Sequence, residues 1–267
     1  MSVWKLQTVG ELPKSLHKPV LIEGLPGIGN VGKVAADFLI EELNAKKMYA
    51  FVSNTFPHSV FVNENNLVEL PSIEMYYKKF DGSKPDLLIL VGDVQPIDEV
   101  SCYDFCELVL DVVAQFGGTD VITLGGIGLQ MIPKKPKVYC TGNSRDAVTR
   151  WTKGTTALSK LYGIVGPIVG VSGVLLGLAA RRRIPAITYL AETFGHPMYL
   201  GVKGSCEVLS VMKKKLELDI DVTKMEKDIE EMEKEVLKKT KEISDVSRNS
   251  AVRKLRGRLG KETSYIG

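Results

Sequence analysis

A glycine-rich turn near the amino terminus has the residue types and spacing of a phosphate-binding loop. Residues 24–33 read Gly-Leu-Pro-Gly-Ile-Gly-Asn-Val-Gly-Lys, between a short apolar run and a helical pattern. The G-x-G-x-x-G spacing lets backbone N–H groups approach a phosphate at the start of a helix. The candidate anion-binding residues are therefore Gly24, Gly27, Gly29 and Gly32.

Two companion signals for a nucleotide are missing from this turn. Val34 follows Lys33 where a P-loop needs a Ser or Thr hydroxyl for Mg²⁺. A dinucleotide site needs an acidic residue about twenty positions further on, and residues 51–56 supply none. The turn therefore either holds an anion or only allows a helix to pack closely on a strand.

Carboxylates and histidines beside the predicted strands suggest acid–base chemistry. Asp93 and Glu192 are predicted to lie just past the ends of apolar strands, where open α/β sheets bind ligands. With His58 and His196 they would suit a hydrolase or phosphorylase acting on nucleosides or nucleotides. Both histidines adjoin a proline, as expected of solvated loop residues, and no nucleophile or metal motif accompanies them.

The cysteines give little support for catalysis. Cys102 and Cys106 are four residues apart on a predicted helix, where two small buried side chains would share one face. The sequence therefore predicts no catalytic residue, no metal site and no cofactor, with the hydrolase or phosphorylase left as the alternative.

Alternating apolar runs and helical patterns must position these residues. Predicted strands span residues 19–23, 48–53, 87–91, 120–124, 164–169 and 186–190, and predicted helices span 33–43, 98–116 and 173–180. Residues 59–62 and 68–77 are predicted to form an antiparallel ribbon. The pattern predicts an α/β fold with a mostly parallel or mixed sheet flanked by helices.

Residues 161–180 are uncharged and precede three arginines, a pattern that resembles a membrane span. Five glycines and a proline in this stretch instead favour a strand, a turn and a buried helix, so no membrane partner is expected. The four cysteines of the 267-residue chain make no disulfide framework, and no signal-peptide pattern follows Met1. We therefore predict a cytoplasmic protein.

The carboxyl-terminal part differs in composition from the rest. We predict an α/β core domain over residues 1–211, a charged helical extension over 212–247 and a basic flexible tail over 248–267. Apolar residues fall at heptad positions between Val222 and Val246, which predicts a helix that packs on its own domain or in a coiled coil. The tail carries a net charge of +5 and the remainder −2. This balance, with few aromatic residues in the tail, indicates no nucleic-acid partner.

Four sequence blocks together resemble the proteasome assembly chaperone 2 family, in its archaeal form. Besides residues 24–33 they are Gly-Asp-Val-Gln-Pro at 92–96, Gly-Val-Ser-Gly-Val-Leu-Leu-Gly at 170–177 and Tyr-Leu-Ala-Glu-Thr-Phe-Gly at 189–195. The resemblance spans roughly residues 19–211. It implies a fold akin to nucleoside phosphorylases, used without catalysis.

The same resemblance implies partners. Such proteins bind proteasome α subunits or assembly precursors and form homo-oligomers. Family members often end in a hydrophobic–Tyr–any tripeptide that docks between α subunits. In this chain the tyrosine is third from the end and Ser264 precedes it, so the tail expected to bind consists of Tyr265, Ile266 and Gly267.

Overall fold

A mixed eight-stranded sheet forms the centre of the molecule. The computed structural model describes residues 3–63, 65–197 and 199–225. Within these residues the strands are β1 (Trp4–Thr8), β2 (Val20–Gly24), β3 (Lys46–Ser53), β4 (Phe61–Val62), β5 (Val68–Glu69), β6 (Ile73–Lys78), β7 (Leu87–Gly92), β8 (Asp120–Leu129), β9 (Val138–Gly142) and β10 (Ala186–Phe194).

The order across the sheet is β1-β3-β6-β7-β2-β8-β10-β9, and β4 pairs with β5 in a separate two-stranded sheet. The four strands β7, β2, β8 and β10 run parallel to one another. β1, β3 and β6 continue the sheet antiparallel on one side, and β9 does so on the other. Since parallel strands end at the same edge, the turns after β2, β7, β8 and β10 are neighbours.

Helices cover both faces of the sheet. They are α1 (Val31–Glu42), α2 (Glu99–Gln115), α3 (Arg145–Thr152), α4 (Val171–Arg181) and α5 (Val202–Leu216). α2 and α4 share one core cluster with Leu21, Leu88 and Leu90. The intervening Ile22 and Ile89 are equally buried, because side chains alternate along a strand and α1 and α5 pack against the opposite face. This arrangement confirms the predicted α/β fold with a mixed sheet.

Most predicted elements are present with shifted ends, but the predicted ribbon is only partly formed. Residues 68–69 pair with residues 61–62, whereas residues 73–78 form β6 and pair with β3 and β7 in the main sheet. One predicted strand is absent. Residues 164–169 form an irregular loop with an isolated bridge between Tyr162 and Val165, and the strand predicted there is absent. Three glycines and Pro167 lie between residues 163 and 170, and proline removes a ladder donor while glycine favours turns. The helix predicted after this loop is α4. No helix among the described residues is long and apolar enough to cross a bilayer.

The division of the chain can be followed only to residue 225. The first compact unit extends to Thr223. The predicted boundary between residues 211 and 212 falls inside the continuous helix α5. The rest of the proposed extension and the proposed tail, with Tyr265, Ile266 and Gly267, lie outside the described residues.

Candidate functional site

The glycine-rich turn joins β2 to α1 and is built for close packing. A Cβ added to Gly32 would lie 2.3 Å from the carbonyl oxygen of Leu124 in β8. A Cβ on Gly24 would lie 2.3 Å from the carbonyl oxygen of Gly32. Both distances are far below van der Waals contact, so only glycine lets α1 lie this near to β2 and β8. The packing interpretation of this turn therefore has a direct physical basis.

Gly29 also meets a neighbouring backbone segment. Its φ of 61° is a left-handed conformation that favours glycine. A Cβ there would lie 2.7 Å from Oγ1 of Thr193, and the Gly201 N–H donates to the Gly29 carbonyl at 2.7 Å. Within the described residues Oγ1 of Thr193 has no hydrogen-bond partner. Gly27 differs, because nothing lies within 4 Å of an added Cβ.

Gln95 connects the glycine turn to the start of α4. Its Nε2 donates to the Pro26 carbonyl at 2.9 Å, and its Oε1 accepts the Val171 N–H at 3.2 Å. A Cβ on Gly170 would lie 2.4 Å from this Oε1. The side-chain amide of Gln95 therefore satisfies one backbone group of each segment. Glycine is favoured at residue 170 because its φ is 82°, a left-handed conformation.

Glu23 lies beneath this junction and is completely buried. Its Oε1 accepts the Leu25 N–H at 2.9 Å, and its Oε2 accepts the Ser172 hydroxyl at 2.8 Å. Burial raises the pKa of the Glu23 carboxyl to about 7, against the opposing effect of these two hydrogen bonds. The carboxyl is therefore a proton-binding group near neutral pH that ties β2 to α4.

The four sequence blocks that carried the family resemblance thus meet at one edge of the sheet. Gln95 and Ser172 link the first three blocks, and Thr193 brings the fourth against Gly29. The sequence interpretation missed the roles of Glu23 and Gln95. The available signal for Glu23 was its position inside the otherwise apolar run at 20–24. A charged residue is rarely buried without a partner, so this position predicts hydrogen-bond partners for the carboxyl group.

Asp93 occupies a polar cleft on the surface side of the same edge. Its Oδ2 accepts the Ser72 N–H and hydroxyl at 3.1 and 2.9 Å, and Oδ1 lies 3.9 Å from Nζ of Lys33. Lys33 also pairs with Asp37 at 3.1 Å. These four residues and Glu74 are among those that line the cleft, which has a volume of about 290 Å³. Asp93 is therefore held by structural partners at the end of β7.

Glu192 belongs to a different part of the sheet. It lies within β10, and the prediction that it follows the strand is wrong because β10 continues to Phe194. Its carboxylate accepts the Lys137 N–H at 3.0 Å and the Tyr139 hydroxyl at 3.2 Å. β7 and β10 are three strands apart, about 14 Å at the usual strand spacing. Asp93 and Glu192 therefore do not act on one substrate atom as a pair.

The histidines and cysteines do not complete an acid–base set. His58 is exposed in the loop after β3, and the His196 ring stacks on Phe194 with a centroid distance of 5.6 Å. Cys102 and Cys106 are buried on one face of α2. A hydrogen bond with Cys102 and burial both raise the pKa of the Cys106 thiol, which keeps it protonated. No group of three or more metal-ligating side chains occurs among the described residues.

The chain is thus an α/β protein in which three of the four glycines of the turn, Gly24, Gly29 and Gly32, pack closely against neighbouring segments. Residues 21–240 match the model of the PAC2 family, and the chain belongs to that family. An uncharacterized protein of Methanocaldococcus jannaschii is 30% identical over 212 residues, which cover 79% of each chain.

Solved structures agree with this assignment. Pyrococcus furiosus PbaB, described as an archaeal proteasome activator, is 34% identical with a TM-score of 0.81, covering 90% of this chain and all of that one. Pyrococcus furiosus PbaA, described as an archaeal homolog of proteasome-assembly chaperone, is 25% identical with a TM-score of 0.70. That match covers 95% of this chain and 98% of PbaA.

Proposed function

We propose that this protein is a non-enzymatic assembly chaperone of the proteasome core particle that binds α subunits or their precursors in the cytoplasm. The likeness to PbaB and PbaA supports a role with the proteasome. The observation that carries the non-enzymatic part is the packed glycine turn. The atoms around Gly24, Gly29 and Gly32 leave no room for a Cβ, which gives these glycines a packing role that needs no bound substrate.

An exposed apolar ribbon supports protein binding. β4, β5 and their flanks expose between 45% and 79% of six large side chains, namely Val60, Phe61, Val62, Leu67, Val68 and Leu70. Among the described residues this two-stranded sheet has no third strand. A two-stranded ribbon is marginal in water by itself, and contiguous exposed apolar surface marks interaction sites.

We assign the ribbon to self-association. An open strand edge with apolar side chains can pair with the same edge of a second copy about a two-fold axis. Association through this ribbon would produce the homo-oligomer, in which several copies of the carboxyl-terminal tail are presented together. Linked tails raise the effective concentration of each binding segment without any new contact.

Removing the tail tests the proposed partner. Deleting residues 261–267 takes away Tyr265, Ile266 and Gly267 and leaves the described unit intact. We expect the truncated chain to retain its thermal unfolding midpoint and lose at least tenfold in affinity for purified α subunits, measured by surface plasmon resonance. A Tyr265→Phe variant that retains the aromatic ring serves as the control.

Two results would count against this proposal. Equal binding of the full and truncated chains would remove the tail from the mechanism. Turnover of nucleosides or nucleotides that Asp93→Asn abolishes would favour the enzymatic alternative.

A further inference from the structure

A second concave site lies at the opposite edge of the sheet, at the amino ends of β2, β7 and β8. Its volume is about 410 Å³, within the range of small-molecule sites. The loops before these strands and the ends of α3 and α5 surround it. Five of its lining residues are basic, namely His17, Lys18, Lys84, Arg150 and Lys215.

The positive charge of this pocket is only partly balanced. Asp120, buried at the start of β8, accepts two hydrogen bonds from the Arg150 guanidinium and one from Nε1 of Trp151 at 3.0 Å. Among the described residues, no carboxylate forms an ion pair with Lys18, Lys84 or Lys215. Glu217 also lines the pocket, so four lysine and arginine side chains face two carboxylates there. The pocket therefore keeps a surplus of two formal positive charges.

Two of these lysines are oriented by neutral oxygen atoms. Nζ of Lys84 donates to the Glu217 carbonyl at 2.6 Å, and Nζ of Lys215 donates to the Lys153 carbonyl at 3.3 Å. An ammonium group has three donors, so each lysine retains hydrogen-bonding capacity for a ligand. A carbonyl oxygen fixes the side chain without cancelling its charge.

Lys215 lies close to other cations. Burial, followed by repulsion from Arg150 and Lys153, lowers the pKa of its ammonium group. Like charges held together destabilise the charged form, and a bound anion reverses that effect. The local electrostatics thus favour an anionic occupant.

The loops that form the pocket are held in place before any ligand arrives. The Asp86 carboxylate accepts the His17 N–H at 2.7 Å and the Phe80 N–H at 2.8 Å. The Thr119 N–H donates to the Pro19 carbonyl at 2.9 Å. Ser83 and Thr119, which carry hydroxyl groups, also line the pocket. A preorganised site loses less conformational entropy on binding.

We propose that this pocket binds a small anion carrying two or more phosphate groups. Lysine ammonium groups act as point charges for phosphate oxygens, and hydroxyl groups supply additional donors. An inorganic polyphosphate and a nucleotide share this chemistry. The pocket lies at the edge of the sheet opposite the glycine turn, and its ligand is a small anion rather than a proteasome subunit, so this inference stands apart from the proposed function.

Calorimetric titration of the full chain tests the site. Tripolyphosphate and adenosine triphosphate are titrated separately at constant ionic strength. We expect saturable binding of one phosphate ligand per chain, with Kd raised at least tenfold by Lys215→Gln and by Lys84→Gln. Unliganded thermal unfolding of both variants should match that of the natural chain, since within the described residues each side chain makes a single hydrogen bond, to a backbone carbonyl.

Two variants control for general charge effects. Lys214→Gln removes the same charge from an exposed position on α5 that does not line the pocket. Arg256→Gln combined with Arg258→Gln reduces the charge of the basic tail. Both control variants should bind the phosphate ligand with the Kd of the natural chain. Whichever of tripolyphosphate and adenosine triphosphate binds more tightly identifies the source of the phosphates.

Three outcomes would overturn the proposal. They are absence of saturable binding, an equal loss of affinity in Lys214→Gln, and a loss confined to the tail variant. Tighter binding of an oligoglutamate peptide than of tripolyphosphate would assign the pocket to an acidic protein segment instead.

Discussion

Glu23 places a carboxyl group in the buried interior of the protein, on strand β2, whose other side chains are apolar. Leu25 and Ser172 each donate a hydrogen bond to one of its oxygen atoms, and both bonds lower its pKa. Burial raises the pKa by more than these bonds lower it. At the residue scale this group should respond to pH near neutrality.

Stability should therefore fall as pH rises through the titration range of Glu23. The folded-state pKa is about 7 and the ordinary value is 4.5, so the folded chain binds more protons between these pH values. Unfolding free energy consequently decreases across this window by about 3 kcal/mol and is then level. Urea unfolding from pH 4.5 to 8 measures the change.

A neutral substitution separates this effect from the rest of the chain. Glu23→Gln removes the titrating group, so the difference in stability between natural and variant chains should change over the same window. Glu11→Gln, at an exposed position, is the control for loss of one carboxyl. A constant difference between natural and Glu23→Gln chains across pH would contradict the assignment.

Helix α1 depends on close approach to β8. At the scale of elements, the glycine turn determines how the first helix packs on the sheet. The spacing Gly27, Gly29 and Gly32 is shared with phosphate-binding turns, but the three residues have different surroundings. Gly29 and Gly32 contact neighbouring segments, whereas Gly27 faces open space.

Substituting two glycines of the turn tests the packing role. Gly32→Ala places a methyl group against the Leu124 carbonyl, and we expect a loss of about 1–3 kcal/mol of unfolding free energy from the displaced helix. Gly27→Ala has open space around it and a φ of −158°, so its effect should stay within about 0.5 kcal/mol. Chemical denaturation of both variants measures these losses, and equal effects would refute the packing explanation.

The exposed ribbon is the surface that we propose for self-association. At the scale of the whole molecule, β4 and β5 stand apart from the eight-stranded sheet, and their apolar side chains remain exposed. Burial of such a surface between copies would favour association by the hydrophobic effect.

A single charge should weaken self-association. Val62→Asp places a carboxylate on the apolar ribbon, and burying it against a second copy is costly. We expect a lower molar mass by light scattering with an unchanged unfolding midpoint of the separated chain. Asn65→Asp adds the same charge at the exposed turn of the ribbon without removing apolar surface. Oligomers of unchanged mass in Val62→Asp would exclude the ribbon as the interface.

The sequence by itself determined the α/β class, the glycine turn and the family, because apolar periodicity and short motifs are local properties of the chain. It failed at residues 164–169, where an apolar run with glycines and proline forms a loop, and at Glu192, where the strand continues past the predicted end. Propensity cannot fix the length of a strand when a neighbouring strand extends it, as β8 does along β10.

Only the tertiary structure decided which distant residues meet. It separated Asp93 from Glu192, placed Gln95 between Pro26 and Val171, and buried Glu23 beneath them. It also gathered Lys18, Lys84 and Lys215 around one pocket. The order of strands in the sheet sets these distances, and that order results from packing between segments far apart in the chain.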